Sequence, residues 1–158
     1  MPNTTKTLPQ VDRNIHRKVY WMPYWSGDKM QVITAAESVQ LLRSIYTITL
    51  GLGPVLPAPF MDALSGRDDW QDLTIYSAML LSNYDVLSHP NVKLRSSFFG
   101  PVERSMQAAG ADVQYVPADL RRIALFAKKN PTRVFISAAT PPDGDGYVSL
   151  SLNATQYD

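Results

Sequence analysis

Between Ile33 and Ala139 the apolar and polar positions fall into short runs whose period switches repeatedly between helix and strand. TAAE, Thr34 to Glu37, has the form of a capping box: a threonine hydroxyl accepting from the Glu37 amide and a carboxylate returning to the Thr34 N–H. A helix follows, with Val39, Leu41 and Leu42 expected on its buried side. YTITLGLG reads as a strand that breaks at glycine, and PAPFMDALSGR as a helix opening on proline and closing near Gly66. DLTIYSAML is a strand, GPVERSMQAAG a helix ending at Gly110, and ADVQYVP a short strand stopped by Pro117. ADLRRIALFAKK carries Leu120, Ile123, Leu125 and Phe126 and closes on two lysines, which favours a helix C-terminus. TRVFISAA is almost continuously apolar, so a strand covered on both faces is expected there. This alternation predicts an α/β layered domain with a mainly parallel sheet flanked by helices, over residues 31–158.

Residues 1–30 lack such a period and form an amino-terminal arm. Its cluster VYWMPYW, Val19 to Trp25, holds two tryptophans and two tyrosines around Pro23. So much apolar surface calls for cover by the domain or a neighbouring chain, although an aromatic ligand platform is also compatible.

Composition narrows the chemistry. The chain has 158 residues, 45% hydrophobic and 18% charged, as a globular domain of ordinary size requires. Fifteen basic and 14 acidic side chains leave a net charge of +1, which advertises neither nucleic acid nor an anionic membrane as a partner. With 0 cysteines there is no disulfide framework and no thiolate nucleophile or ligand. His16 and His89 are too few for a histidine-rich metal site. Met1 to Gln10 is polar, and no run approaches the roughly 18 apolar residues of a membrane helix, so a cytoplasmic protein is expected.

In open parallel sheets ligands bind outside the carboxyl ends of the strands, which directs attention to two loops. In LGLGPVLPAPF, Gly51 and Gly53 allow close backbone approach, and the helix near Pro57 is expected to aim free N–H groups at a ligand. A tight turn explains the same residues. The dinucleotide fingerprint is incomplete because Leu56 stands where its last glycine belongs, which weakens a nucleotide-binding Rossmann reading. In SAATPPDGDGYVSLSLNATQYD, Pro141 and Pro142 fix φ, Asp143 can close an Asx-turn, and Gly144 and Gly146 are expected at positive φ before a second short strand.

The order LTIYSAML, FFGPVERSMQAAGADVQYVPADLRRIALF, RVFISAATPPDGDGYVSLSLNATQY resembles the amino-terminal domain of the acetyl-CoA hydrolase/transferase family, which includes 4-hydroxybutyrate and acetate CoA-transferases. The resemblance is carried by Phe99 and Gly100, then Gly110, Tyr115 and Pro117, and above all by Ser137 through Tyr157. Ser44, Ile45 and Tyr46 replace a common Gly-Asp pair, Thr140 and Pro141 lengthen the last loop, and Leu150-Ser151 replaces Leu-Gly. The resemblance implies a CoA-transferase (NagB/RpiA-like) domain, a coenzyme A thioester as substrate with no permanently bound cofactor, and a carboxylate acceptor or water. In that chemistry a glutamate attacks the acyl-CoA carbonyl and passes through an anhydride to a glutamyl-CoA thioester.

The chain has two glutamates, Glu37 and Glu103, and each has a structural reason to exist at a helix start. No catalytic residue is therefore assigned within this chain. The resemblance places the nucleophile in a carboxy-terminal domain or partner subunit, and implies a homo-oligomer. It assigns Gly51, Gly53 and Pro54 to the edge of the acyl or acceptor pocket, and Asp143, Gly146 and Tyr147 to the domain interface. Arg95, Arg104, Arg121 and Arg122 are candidates for the CoA phosphates or simply solvated cations. A noncatalytic binding or assembly module keeping the same fold is the alternative.

Overall fold

The computed structural model describes residues 18–21, 31–118, 123–145 and 147–149. The polar start, most of the aromatic cluster, Leu120, Arg121, Arg122, Gly146 and everything from Leu150 onward lie outside the described residues.

The elements run β1 (Lys18–Trp21), β2 (Gln31–Thr34), α1 (Ala35–Gln40), β3 (Ile45–Leu50), α2 (Ala58–Ser65), β4 (Asp72–Ser77), β5 (Val92–Ser96), α3 (Pro101–Ala108), β6 (Asp112–Tyr115), α4 (Ile123–Lys129) and β7 (Val134–Ile136). Strands β3 to β7 form a five-stranded parallel sheet in the order β6-β5-β4-β3-β7. The domain is an α/β layered fold. In the arm, β1 pairs antiparallel with β2, Lys18 opposite Thr34 and Trp21 opposite Gln31.

Side chains alternate across the pleat, and one face carries the core. Ile48 and Leu50 of β3, Leu73 and Ile75 of β4, Val92 and Leu94 of β5 and Val113 of β6 join Val39 from α1, Leu42 just beyond it, Phe60, Met61 and Leu64 from α2, and Met106 from α3. The opposite face holds Thr49, Thr74, Tyr76, Lys93 and Arg95, and α4 reaches it through an edge-on contact of Phe126 with Tyr76, centroids 5.7 Å apart. There Lys93 pairs with Asp72 at 3.0 Å and Arg95 with Asp112 at 2.8 Å, fastening neighbouring strands.

The capping box at Thr34 forms as the sequence predicts. The Glu37 amide donates to Thr34 Oγ1 at 3.1 Å and the Thr34 N–H to the Glu37 carboxylate at 2.7 Å. Those donors hold the Glu37 carboxyl below its usual value, the Thr34 backbone N–H first and its hydroxyl second. Arg67 closes the other end of α1 by donating to Val39 O at 3.0 Å and Leu42 O at 2.7 Å, while pairing with Asp69 and lying over the Trp70 ring.

Four expectations are corrected. Leu41 is 51% exposed, because α1 stops at Gln40 and Leu41 turns outward as its cap. VKLRS forms β5, which had not been expected; its alternation of Val92 and Leu94 with Lys93 and Arg95 suits a strand with one buried face. In β7, expected to be covered on both faces, Phe135 is 38% exposed among the described residues. Gly144 does not adopt positive φ, because the Asp143 side chain itself closes the turn.

Candidate functional site at the carboxyl edge of the sheet

The chain builds β3, β4, β5 and β6 outward in one direction, then returns past β3 to lay down β7 on its other side. The strand order therefore reverses between β3 and β7, and a crevice outside the carboxyl ends is expected at such a reversal. Both loops singled out in the sequence leave from these two ends.

They also touch. Gly51 N donates to Ile136 O at 2.9 Å, extending the ladder by one rung. Ala138 N donates to Val55 O at 2.9 Å, and Ser137 Oγ donates to the same carbonyl at 3.4 Å. The Val55 carbonyl thus accepts from two adjacent residues more than 80 positions further along the chain. The 3-10 turn Gly53–Val55 and the segment after β7 form one unit.

Gly51 is required by that packing. A Cβ there would stand 2.5 Å from Ser137 Oγ and 2.7 Å from Val55 Cγ2, so the close approach it allows is to the protein's own chain. Gly53 has φ +48°, which a glycine adopts without strain, and Pro54 is exposed beside it. The expectation of free N–H groups at the start of α2 is not met. Ala58 N donates to Leu56 O, Phe60 N and Met61 N donate to Pro57 O, and Pro59 has no N–H, so the first turn satisfies itself.

Beyond β7 the chain folds back as expected. Thr140 N donates to Ser149 O and Asp143 N to Tyr147 O, both at 2.9 Å. Asp143 Oδ1 accepts from Asp145 N at 3.0 Å and Tyr147 N at 2.9 Å, which makes Asp143 the turn's internal brace. Tyr147 is 75% exposed at the tip.

At the end of β4 lies a residue the sequence did not mark. Met79 has φ +58°, where a side chain costs of order 1–2 kcal/mol. The surrounding bonds fix it: Gly53 N donates to Ala78 O at 3.3 Å, Leu80 N to Glu103 Oε1 at 2.9 Å, and Met79 N reaches Phe98 O at 3.5 Å. A Cβ on Gly53 would lie 3.6 Å from Met79 Cε, so the methionine flanks the glycine turn.

Glu103 is wholly buried beneath this edge. Besides the Leu80 amide, its carboxylate accepts from Gly100 N at 3.0 Å and lies 3.2 Å from Ser96 Oγ. It ties the ends of β4 and β5 to the start of α3. Of the arginine candidates, Arg95 is engaged with Asp112, and Arg104 donates to Phe99 O at 2.8 Å while remaining exposed; Arg121 and Arg122 fall outside the described residues.

No family model, curated protein or solved structure matches the chain. Among the described residues no helix is long and apolar enough to cross a membrane.

Proposed function

We propose that this chain is the amino-terminal domain of an acyl-CoA:carboxylate CoA-transferase or an acyl-CoA hydrolase of the cytoplasm. It supplies the wall of the acyl or acceptor pocket, with coenzyme A thioester as substrate. The observation that carries the reading is the joining of the Gly51–Val55 turn to the segment after β7 at the reversal of strand order. The resemblance in sequence rests above all on the second of these segments, Ser137 through Tyr157.

The two glutamates support a division of labour. Glu37 is occupied by its capping box and Glu103 is buried among structural donors, so neither is placed to attack a thioester. A glutamate from a second domain or partner subunit would approach the carboxyl edge, with Asp143 and Tyr147 on the loop that faces it. Stabilising the oxyanion formed on attack needs backbone donors. The first turn of α2 spends its amides internally, so those donors would also come from the second domain.

The test is a pair of measurements on the 158-residue chain. Titration with acetyl-CoA and butyryl-CoA, followed by amide NMR, is expected to move the Gly51, Gly53 and Tyr147 resonances. Thiol release with and without acetate is expected to stay at background. Robust turnover by the chain alone would refute the division of labour, and thioester binding that leaves the glycine turn untouched would remove it from the pocket.

A further inference from the structure

Resting on that reading, we infer that Met79 is a specificity-determining residue whose thioether forms the apolar wall against which the acyl chain of the substrate lies. The sheet order makes β4 the central strand, so its carboxyl end stands in the middle of the candidate edge. Met61 and Met106, the other methionines with described side chains, are buried in the core. Met79 instead is 41% exposed. Its backbone is held in the left-handed region by bonds on either side, from Gly53 to Ala78 and from Leu80 to Glu103. An unstrained loop would show no such conformation unless its surroundings imposed it, and residues held this way cluster at ligand sites.

The neighbours define the class of ligand. Phe98, 57% exposed at the end of β5, accepts from Met79 N through its carbonyl. On the other side is Gly53, which has no side chain to compete for the space over Met79 Cε. Together they place a flexible, exposed thioether beside bare backbone, with the exposed Phe98 following the neighbouring strand and no charged side chain among the three. Such a surface suits a short unbranched alkyl chain, and the unbranched methionine adapts to its length. Each methylene laid against it is expected to tighten binding about fourfold.

The experiment labels the methionine methyl groups with carbon-13 in the full chain, with the Met79 signal assigned by its loss in Met79→Leu. The probes are coenzyme A, acetyl-CoA and butyryl-CoA. The Met79 methyl signal is expected to move little with coenzyme A and most with butyryl-CoA, and butyryl-CoA, two methylenes longer, is expected to bind about fifteenfold more tightly than acetyl-CoA. Met79→Gly removes the side chain while relieving the positive φ, so the variant remains folded, and it is expected to bring the two affinities within about twofold. Movement of the Gly53 amide with a stationary Met79 methyl, or an unchanged affinity ratio in Met79→Gly, overturns the role of Met79 and leaves the thioester reading standing. If neither signal moves with any thioester, both fall.

Discussion

Glu103→Gln is the substitution that tests most directly how the candidate edge is held. The carboxylate is wholly buried and accepts from Leu80 N at 2.9 Å and Gly100 N at 3.0 Å, with Ser96 Oγ 3.2 Å away. Glutamine keeps the volume and one carbonyl oxygen. If that oxygen stays on Leu80 and Ser96, the new amide group faces the Gly100 N–H, donor against donor. A hydrogen bond to a charged group is worth roughly 1.5–3 kcal/mol, and one is lost, so the cost is expected at about 2–3 kcal/mol. In a chain of this size that lowers Tm by about 5–10 °C. Glu103→Ala strips every bond and leaves a cavity, which approaches the whole stability of a small domain, so glutamine is the informative variant. Urea titration gives the free energy, and amide exchange at Leu80 and Gly100 gives the local effect. Both amides are expected to exchange faster in the variant. A change below about 0.5 kcal/mol, with exchange at these amides unaltered, would refute the bracing role and reopen Glu103 as a reactive group.

Gly51→Ala is expected to destabilise by about 1–3 kcal/mol, because its Cβ meets Ser137 Oγ and Val55 at under 3 Å, and Gly53→Ala by about 1 kcal/mol from its positive φ alone. Chemical denaturation of the two variants checks the order. Thr34→Ala removes the cap of α1 and is expected to cost about 1 kcal/mol in the same assay. The folded Glu37 carboxyl lies below its ordinary value of 4.5, so the cap's contribution is complete above that pH and is lost as pH falls through the lower folded value. Amide exchange in α1 is expected to accelerate under acid in the parent chain, and Thr34→Ala to weaken that dependence without removing it, because the larger cause, the Thr34 backbone N–H, survives the substitution. Tyr84 runs the other way: burial first, and Asp62 second, raise its phenol above 10.0, so its contribution is complete below that pH and fades as pH climbs through the raised value. Phenolate absorbance at 295 nm read beside the denaturation midpoint checks it.

What could be read from sequence was whatever neighbours in the chain decide. The capping box at Thr34, the glycine ending α3 and the Asx-turn at Asp143 each depend on atoms within four residues, and each forms. β5 escaped notice because Lys93 and Arg95 interrupt its apolar character, although its alternation is that of a strand with one buried face. Leu41 looked buried by its helical spacing, but the helix ends one residue earlier, and the Arg67 guanidinium, 25 positions beyond Leu42, closes it through the Leu42 carbonyl. The start of α2 looked able to aim free N–H groups at a ligand, as the first turn of a helix can. There the carbonyls of Leu56 and Pro57 take up those donors, a local fold-back that the residue types do not announce. Met79 carried no signal at all, since a methionine at positive φ is imposed by the three strand ends around it.

The same distinction explains why the two glycine-rich loops looked individually ordinary. Gly51 alone is a turn glycine, and PPDGDGY alone is a hairpin tip. Their relation appears only once the strand order reverses at β3, which brings the carboxyl ends of β3 and β7 side by side and lets Ser137 and Ala138 of the second loop donate to the Val55 carbonyl of the first. Gly51 then serves as the joint between them, because any side chain there would push Ser137 away from that carbonyl. Gly53, one rung further out, is free of that duty and instead keeps open the space beside Met79. The division implies that a change at Gly51 disturbs both loops together, whereas a change at Gly53 acts on the turn beside Met79 while leaving the bonds of Ser137 and Ala138 in place.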